Sequence, residues 1–183
     1  MKTKIVCFIN GSYLRIALNW LRGIEEIGIS EFATIVTMDL KSRLVFATKK
    51  VRTMHRPMPS WRLDDLWRHR TLVIAEILED GFDVIHSDAD AVWLRNPLPL
   101  IFDGNEDLVF SQGTIWPQES LEKRGFVLCC GLFAARSNDR TKRFFGDLIG
   151  RLRCDPDDQR VLNLLVDERF PDWEIDRPYK HSF

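Results

Sequence analysis

The chain has no excess of positive charge: 26 lysines and arginines stand against 27 acids in 183 residues, a formal net charge of −1. A surface built to neutralise a nucleic-acid backbone is thereby disfavoured. Cysteine is scarce as well. Cys7, Cys129, Cys130 and Cys154 form no C-x-x-C pair, which argues against a disulfide scaffold or a zinc site and for small buried hydrophobes in a reducing, cytoplasmic setting. Long hydrophobic runs are missing too. The longest, "FVLCCGLFAA" at 126–135, is about half of the roughly 20 residues that a membrane-crossing helix needs. "MKTKIVCFINGSYL" is interrupted at Asn10 and Ser12, so it reads as a first strand and not as a secretory leader. There are no Gly/Ser, Gln or charge tracts, and the 45% hydrophobic and 29% charged residues are values of an ordinary folded chain. A single domain over residues 1–183 is the expectation.

What is present alternates. "KIVCFI" (4–9) is a continuous apolar run, as a strand buried on both faces requires. Asn10, Gly11 and Ser12 then supply a turn and a cap for a helix over about 13–27, which Gly28 ends. "FATIVTMD" (32–39), "VRTMH" (51–55), "DVIHSD" (83–88), "DLVFSQ" (107–112) and "GFVLCCGLFAA" (125–135) read as further strands. Between them, "LKSRLVFAT" suggests a short helix. The clearest helix, 61–79, carries Leu63, Leu66, Trp67, Ile74, Ile77 and Leu78 at spacings of three and four. Two more helices follow, one capped by Asn138 or Asp139 and one starting near Asp157. Strands alternating with helices predict a layered α/β fold with a largely parallel central sheet.

The stretch "HSDADAVWLRNP" (86–97) ends an apolar run on two acids one residue apart, Asp88 and Asp90. In open α/β sheets the ligand crevice lies beyond the carboxyl ends of the strands. Two crowded carboxylates there must share a proton or hold a cation. Hard oxygen donors with few others nearby suit Mg²⁺ or Mn²⁺ that stays partly hydrated and shared with substrate phosphates. The apolar seam of the 61–79 helix also passes through Arg70, while Arg68 and His69 are expected to face solvent. Arg70 either lays its stem over the surface with its head in water, or reaches the cleft to meet a phosphate or brace Asp88. "DPDDQRVLN" (155–163) places Asp155 to Asp158 as capping acids at a helix start, with Gln159 beside them.

Taken in order, "NWL" (19–21), Asp39, Arg70, "SDADAVWLRNP" (87–97), "DLVFSQG" (107–113), "CGLFAARSN" (130–138) and "DDQRVLN" (157–163) resemble the nucleotide-diphospho-sugar transferase family, glycosyltransferases of the GT-A type. The resemblance implies a Rossmann-like GT-A domain and a metal-dependent transfer of sugar from a nucleoside-diphosphate sugar, a UDP- or GDP-sugar, to a hydroxyl on a carbohydrate or glycoconjugate acceptor. It implies that Asp90 binds Mn²⁺ or Mg²⁺ directly, with Asp88 acting through water or on the ribose. Arg70 matches a basic position directed at phosphate or sugar, and Asn10, Gly11 and Asp39 fall where base and ribose lie. Asp158 and Gln159 match the D-Q-x-x-L-N element of glycogenin-like retaining relatives, which implies retention of configuration. Gly131 is the position where substrate approaches the strand backbone. Such relatives complete the metal site with a late histidine, here His181. His55 and His86 are expected to be structural. Two other readings fit parts of the pattern: a non-catalytic subunit that binds nucleotide sugars, and a haloacid-dehalogenase-like phosphatase, whose D-x-D follows the first strand.

Overall fold

The computed structural model describes residues 2–169 apart from 59, 61 and 103. Its first strand, β1 (Thr3–Ile9), is the "KIVCFI" run, and Ile5, Val6, Cys7 and Ile9 in it are fully buried. Helix α1 (Leu14–Glu26) returns the chain along the sheet, and Gly28 follows it with φ 73°, a left-handed conformation that costs glycine little. The cap of α1 differs from expectation. Asn10, Gly11 and Ser12 do form the turn, with the Asn10 side chain accepting the backbone N–H groups of Ser12 and Tyr13, but the capping residue is Tyr13, which makes no side-chain cap bond.

Next come β2 (Ala33–Thr37), α2 (Leu40–Phe46), β3 (Arg52–His55) and α3 (Leu63–Glu79). The buried face of α3 starts only at Arg70 and continues through Thr71, Val73, Ile74, Ile77 and Leu78. Leu63, expected in the seam, is exposed in the first turn, because the helix meets the core with its second half. His69 is half-buried and not turned to solvent: its Nε2 lies 3.0 Å from the Arg56 carbonyl oxygen.

The second part of the chain supplies β4 (Asp83–Ser87), α4 (Leu98–Ile101), β5 (Leu108–Gln112), α5 (Gln118–Arg124), β6 (Leu128–Ala135), α6 (Asp139–Arg151) and α7 (Asp158–Arg169). Asn138 caps α6 by accepting the Thr141 N–H at 2.9 Å. The six strands form one sheet in the order β3-β2-β1-β4-β6-β5. β1 pairs parallel with β2 and β4, so that Ile5 lies beside both Ala33 and Ile85, while β6 runs antiparallel between β4 and β5. The α/β expectation holds, with β6 as the reversed strand.

Alternate strand residues feed two cores. Val6, Val36, Val84 and Phe133 pack under α3, α6 and α7, while Ile5, Cys7, Ile35 and Ile85 pack under α1 and α2. Burying each such aliphatic side chain stabilises the fold by about 1.5–3 kcal/mol before entropy is counted. Cys7 and Cys130 belong to these cores, as expected of small hydrophobes, whereas Cys154 is exposed. No described helix is long and apolar enough to cross a membrane.

The order of the strands positions the site. From β1 the chain moves outward to β2 and β3, then returns to the other side of β1 as β4. The switch between β1 and β4 opens a crevice at their carboxyl ends. Asn10, Asp39 and Asp88 all follow the last residues of parallel strands, so they share that edge.

Candidate active site

At the β1–β2 side of the crevice, Asp39 ties two loops together. One carboxylate oxygen accepts the Ser42 N–H at 2.7 Å and caps α2; the other accepts the Gly11 N–H at 2.6 Å. Burial raises this carboxyl, but the Ser42 and Gly11 N–H groups outweigh it and hold the pKa below the ordinary carboxylate value. Gly11 sits in close quarters, since a Cβ there would lie 2.8 Å from the Lys41 stem and 3.0 Å from Asp39. Asn10, Gly11 and Asp39 are thus brought together.

The β4 side is built around Arg70. Its guanidinium is buried, and Nη1 donates to Asp88 Oδ1 at 3.0 Å while Nη2 donates to Asp158 at the start of α7. Nη1 also lies 3.2 Å from Nε2 of His86, a fully buried ring packed between Phe8 and Phe133. Burial alone would lower the Arg70 pKa; the Asp158 and Asp88 charges outweigh it and raise the pKa. Burial and the neighbouring Arg70 charge lower the His86 pKa, so the ring is neutral at pH 7. For Asp88, burial pushes upward, but contact with His86 and the charge of Arg70 prevail and keep it ionised. Of the two roles open to Arg70 in the sequence, the structure shows the bracing one. Behind the Arg70–Asp158 pair is a cavity of about 10 Å³, also lined by Thr71, Cys130 and Phe133, the least space one water needs.

Asp90 is different. It is exposed, and among the described residues its carboxylate makes no hydrogen bond or ion pair. Gly131 faces Asp88 across the β4–β6 ladder, where the Asp88 N–H donates to the Gly131 carbonyl at 2.7 Å; a Cβ on Gly131 would meet Asp88 Oδ2 at 2.8 Å. The absence of a side chain there makes room for the Asp88 carboxylate itself. Gln159 is held at both ends, accepting the Cys130 N–H at 3.3 Å and donating to the Trp116 carbonyl at 2.8 Å. Asn163, one turn along α7, donates to the Leu128 carbonyl and accepts the Leu128 N–H. Together they pin α7 to the start of β6. His55 bonds to Thr37 at the end of β2. His181 lies outside the described residues.

Sequence reasoning missed one feature entirely. The Ser87 hydroxyl, at the end of β4, accepts the indole N–H groups of Trp20 and Trp93, each at 3.0 Å, and donates to the Asp88 carbonyl at 3.0 Å. A signal existed, since an indole N–H buried in an apolar stretch must find an acceptor, but its partner could not be read from spacing. Trp116, whose indole donates to Asp157 at 2.8 Å, was passed over for the same reason.

A Rossmann-like sheet with its switch point beside β4, an antiparallel β6 and two acids just past β4 define a GT-A type fold. The comparisons with known proteins agree. The chain belongs to the nucleotide-diphospho-sugar transferase family, whose profile matches residues 34–178. It is similar to a UDP-galactose:fucoside alpha-3-galactosyltransferase of Dictyostelium discoideum, 30% identical over 53% of this chain and 15% of that protein. It is also similar to an arabinosyltransferase of Arabidopsis thaliana, 24% identical over 53% of this chain and 16% of that protein. The chain therefore spans less than a fifth of the length of either relative. Among solved structures, it shares its fold with the galactosyltransferase LgtC in complex with donor and acceptor sugar analogs: TM-score 0.57 and 14% identity, covering 88% of this chain and 69% of that one. The glycosyltransferase GlyE of Streptococcus pneumoniae superposes with TM-score 0.60 and 13% identity, over 90% and 43%.

Proposed function

We propose that the protein transfers a sugar from a nucleoside-diphosphate sugar, a UDP- or GDP-sugar, to a hydroxyl of a carbohydrate or glycoconjugate acceptor, with Mn²⁺ or Mg²⁺ and with retention of configuration. The observation that carries this reading is the division of labour between the two acids beyond β4: Asp88 is locked by Arg70, while Asp90 is exposed and uncommitted. Family membership supplies the reaction class, and retention rests on the likeness of "DDQRVLN" to retaining relatives.

The residues fit a hydrated hard cation. No group of three or more His, Cys, Asp or Glu side chains among the described residues could hold a metal by itself. Two carboxylates at a strand end, with room for water and diphosphate oxygens, are what Mg²⁺ or Mn²⁺ commonly accepts. In this reading Asp90 is the direct ligand, Asp88 assists through its free oxygen or through water, and His181 is a candidate for a further position. Bound there, the ion would neutralise charge that develops on the departing diphosphate. Arg70 keeps Asp88 ionised and orients both Asp88 and Asp158. Asn10, Gly11 and Asp39 lie where the nucleoside can rest. Gln159 and Asp158 would line the sugar side, and Gly131 would serve the donor site by leaving room for the Asp88 carboxylate. The unpaired cysteines fit a reducing, cytoplasmic setting.

The test is thermal stabilisation by UDP, GDP and their sugars with and without Mn²⁺, since a bound ligand raises apparent stability by mass action. A metal-dependent rise with one nucleotide series, together with slow sugar-nucleotide hydrolysis lost in Asp90→Ala, is the result expected. Cleavage of simple phosphate esters instead, or stabilisation indifferent to metal, would overturn the reading.

A further inference from the structure

We infer that Ser87 and the two indoles converging on it fix the geometry of the Asp88–Asp90 turn, which makes Trp93 a positioning residue for the site; this rests on the metal and nucleotide reading above. Ser87 is fully buried, and its hydroxyl has one hydrogen and two lone pairs to use. All are committed: Trp20 and Trp93 donate to it, and it donates to the Asp88 carbonyl. The same carbonyl accepts the Ala91 N–H at 3.2 Å, closing the turn, and the Asp88 N–H is bound to Gly131.

Asp90 sits in the middle of this turn with no side-chain bond of its own among the described residues, so its position is inherited from the turn's backbone. Whatever holds that backbone holds the carboxylate. Of the triplet that follows, Val92 is 73% and Leu94 88% exposed, and only Trp93 turns inward to pack beside the α1 core. "NWL" and "VWL" thus meet at a single hydroxyl, one from α1 and one from the chain just after the turn. Trp20 ties that hydroxyl to the rigid side of the fold; Trp93 ties the outgoing strand of the turn to it. Small misplacements of a reacting or ligating group are expensive, with about 1 Å able to cost on the order of a hundredfold. If the indoles only packed, removing one N–H would lower stability and leave ligand affinity alone.

The experiment is calorimetric titration of the full chain with whichever of UDP or GDP stabilises it, with and without Mn²⁺, in wild type, Trp93→Phe, Ser87→Ala and Trp67→Phe. Trp93→Phe keeps a ring in the core and removes the donor. Mn²⁺-dependent nucleotide affinity should fall about tenfold, the scale of one well-made hydrogen bond, while metal-free nucleotide affinity stays within about twofold. Ser87→Ala should fall further; if it does not fold, Trp93→Phe carries the test. Trp67, half-buried on α3 and not one of the indoles that bond to Ser87, serves as the control, and its variant should match wild type in both titrations. Unchanged Mn²⁺-dependent binding in Trp93→Phe, an equal loss with and without metal, or an equal loss in Trp67→Phe would each overturn the inference while leaving the proposed function standing. Absence of Mn²⁺-dependent binding in wild type would remove the proposed function and this inference with it.

Discussion

Two buried arginines, Arg70 on α3 and Arg124 on α5, sit in environments that differ in one respect. Arg124 meets a single acid: its Nε lies 2.8 Å from Asp167, both side chains are almost fully buried, and Nη2 donates to Asn163. Ser120 and Lys123 also bond to Asp167, on the side chain and the carbonyl, and the Arg124 Nη1 has no hydrogen-bond partner among the described residues. Burial lowers the Arg124 pKa, and Asp167 offsets that only in part. Arg70 meets two acids, and its pKa is raised. The pair at Arg124 is formally neutral and joins α5 to α7. The cluster at Arg70 sets one guanidinium between two carboxylates, and Asp90 follows two residues after Asp88, so acids outnumber the cation at the mouth of the crevice. Charge balance inside a fold needs no ligand; an imbalance at a strand edge invites a divalent cation.

The largest effect expected from this contrast is on stability. Arg70→Met leaves Asp158 buried and unpaired and removes the brace from Asp88. Destabilisation of about 3–5 kcal/mol is expected, the usual cost of stripping one partner from a buried charge pair, read as a shift of the urea midpoint at constant slope. A loss below about 1 kcal/mol would mean that the cluster is not held by its arginine. Next in size is Asp90→Ala. Sugar-nucleotide hydrolysis should fall at least about a hundredfold, some 2.7 kcal/mol of lost transition-state stabilisation, with stability changed by less than about 0.5 kcal/mol because the side chain is exposed.

Which side of the comparison was legible in the sequence follows from the range of the interactions. Asp88 and Asp90 declared themselves because a strand and its terminal acids are adjacent in the chain. The inward turn of Arg70 was legible from the i, i+3, i+4 seam of its own helix. Its second acid was not, because Asp158 stands 88 residues further on and reaches Arg70 only through the register of α7 against β6. The Arg124 pair went unread for a further reason: "QESLEKR" makes a helix of only seven residues, too short for periodicity to separate from a charged loop. α4, opening at Pro97, escaped in the same way. Leu63 falls on the apolar seam yet is exposed, because periodicity reports a face of a helix and not how far along that face the core extends. The Ser87 hub combines both limits, since a hydroxyl's partners depend on where two distant indoles land.

His86 gives the Arg70 cluster a pH dependence of its own. Its folded-state pKa lies below the ordinary 6.5, so the unfolded chain takes up a proton before the folded one does. The stability associated with the neutral ring is complete above pH 6.5 and declines as pH falls from there towards the lowered folded value. Urea midpoints measured between pH 7.5 and pH 5 should therefore drift downward. His86→Gln, once corrected for its own lower baseline, should flatten that drift. A flat wild-type profile would mean that the ring takes up its proton as readily in the fold as in the unfolded chain.

The smallest effect should come from removing the neutral pair altogether. Replacing a buried ion pair by apolar residues of similar volume is often neutral or stabilising by about 1–4 kcal/mol, since neither charge is left behind. Arg124→Leu with Asp167→Leu forfeits the ion pair and the Ser120 and Asn163 contacts but also removes the buried Arg124 Nη1, which has no hydrogen-bond partner among the described residues. These changes work against each other, and a net change within about 1 kcal/mol is expected, together with Mn²⁺-dependent nucleotide affinity equal to wild type. The corresponding double change at Arg70 and Asp158 removes one charge of each sign yet still leaves Asp88 without its brace, so metal-dependent affinity should drop even if the fold survives. Equal behaviour of the two double variants in nucleotide binding would show that the excess carboxylate at the β4 edge has no special role.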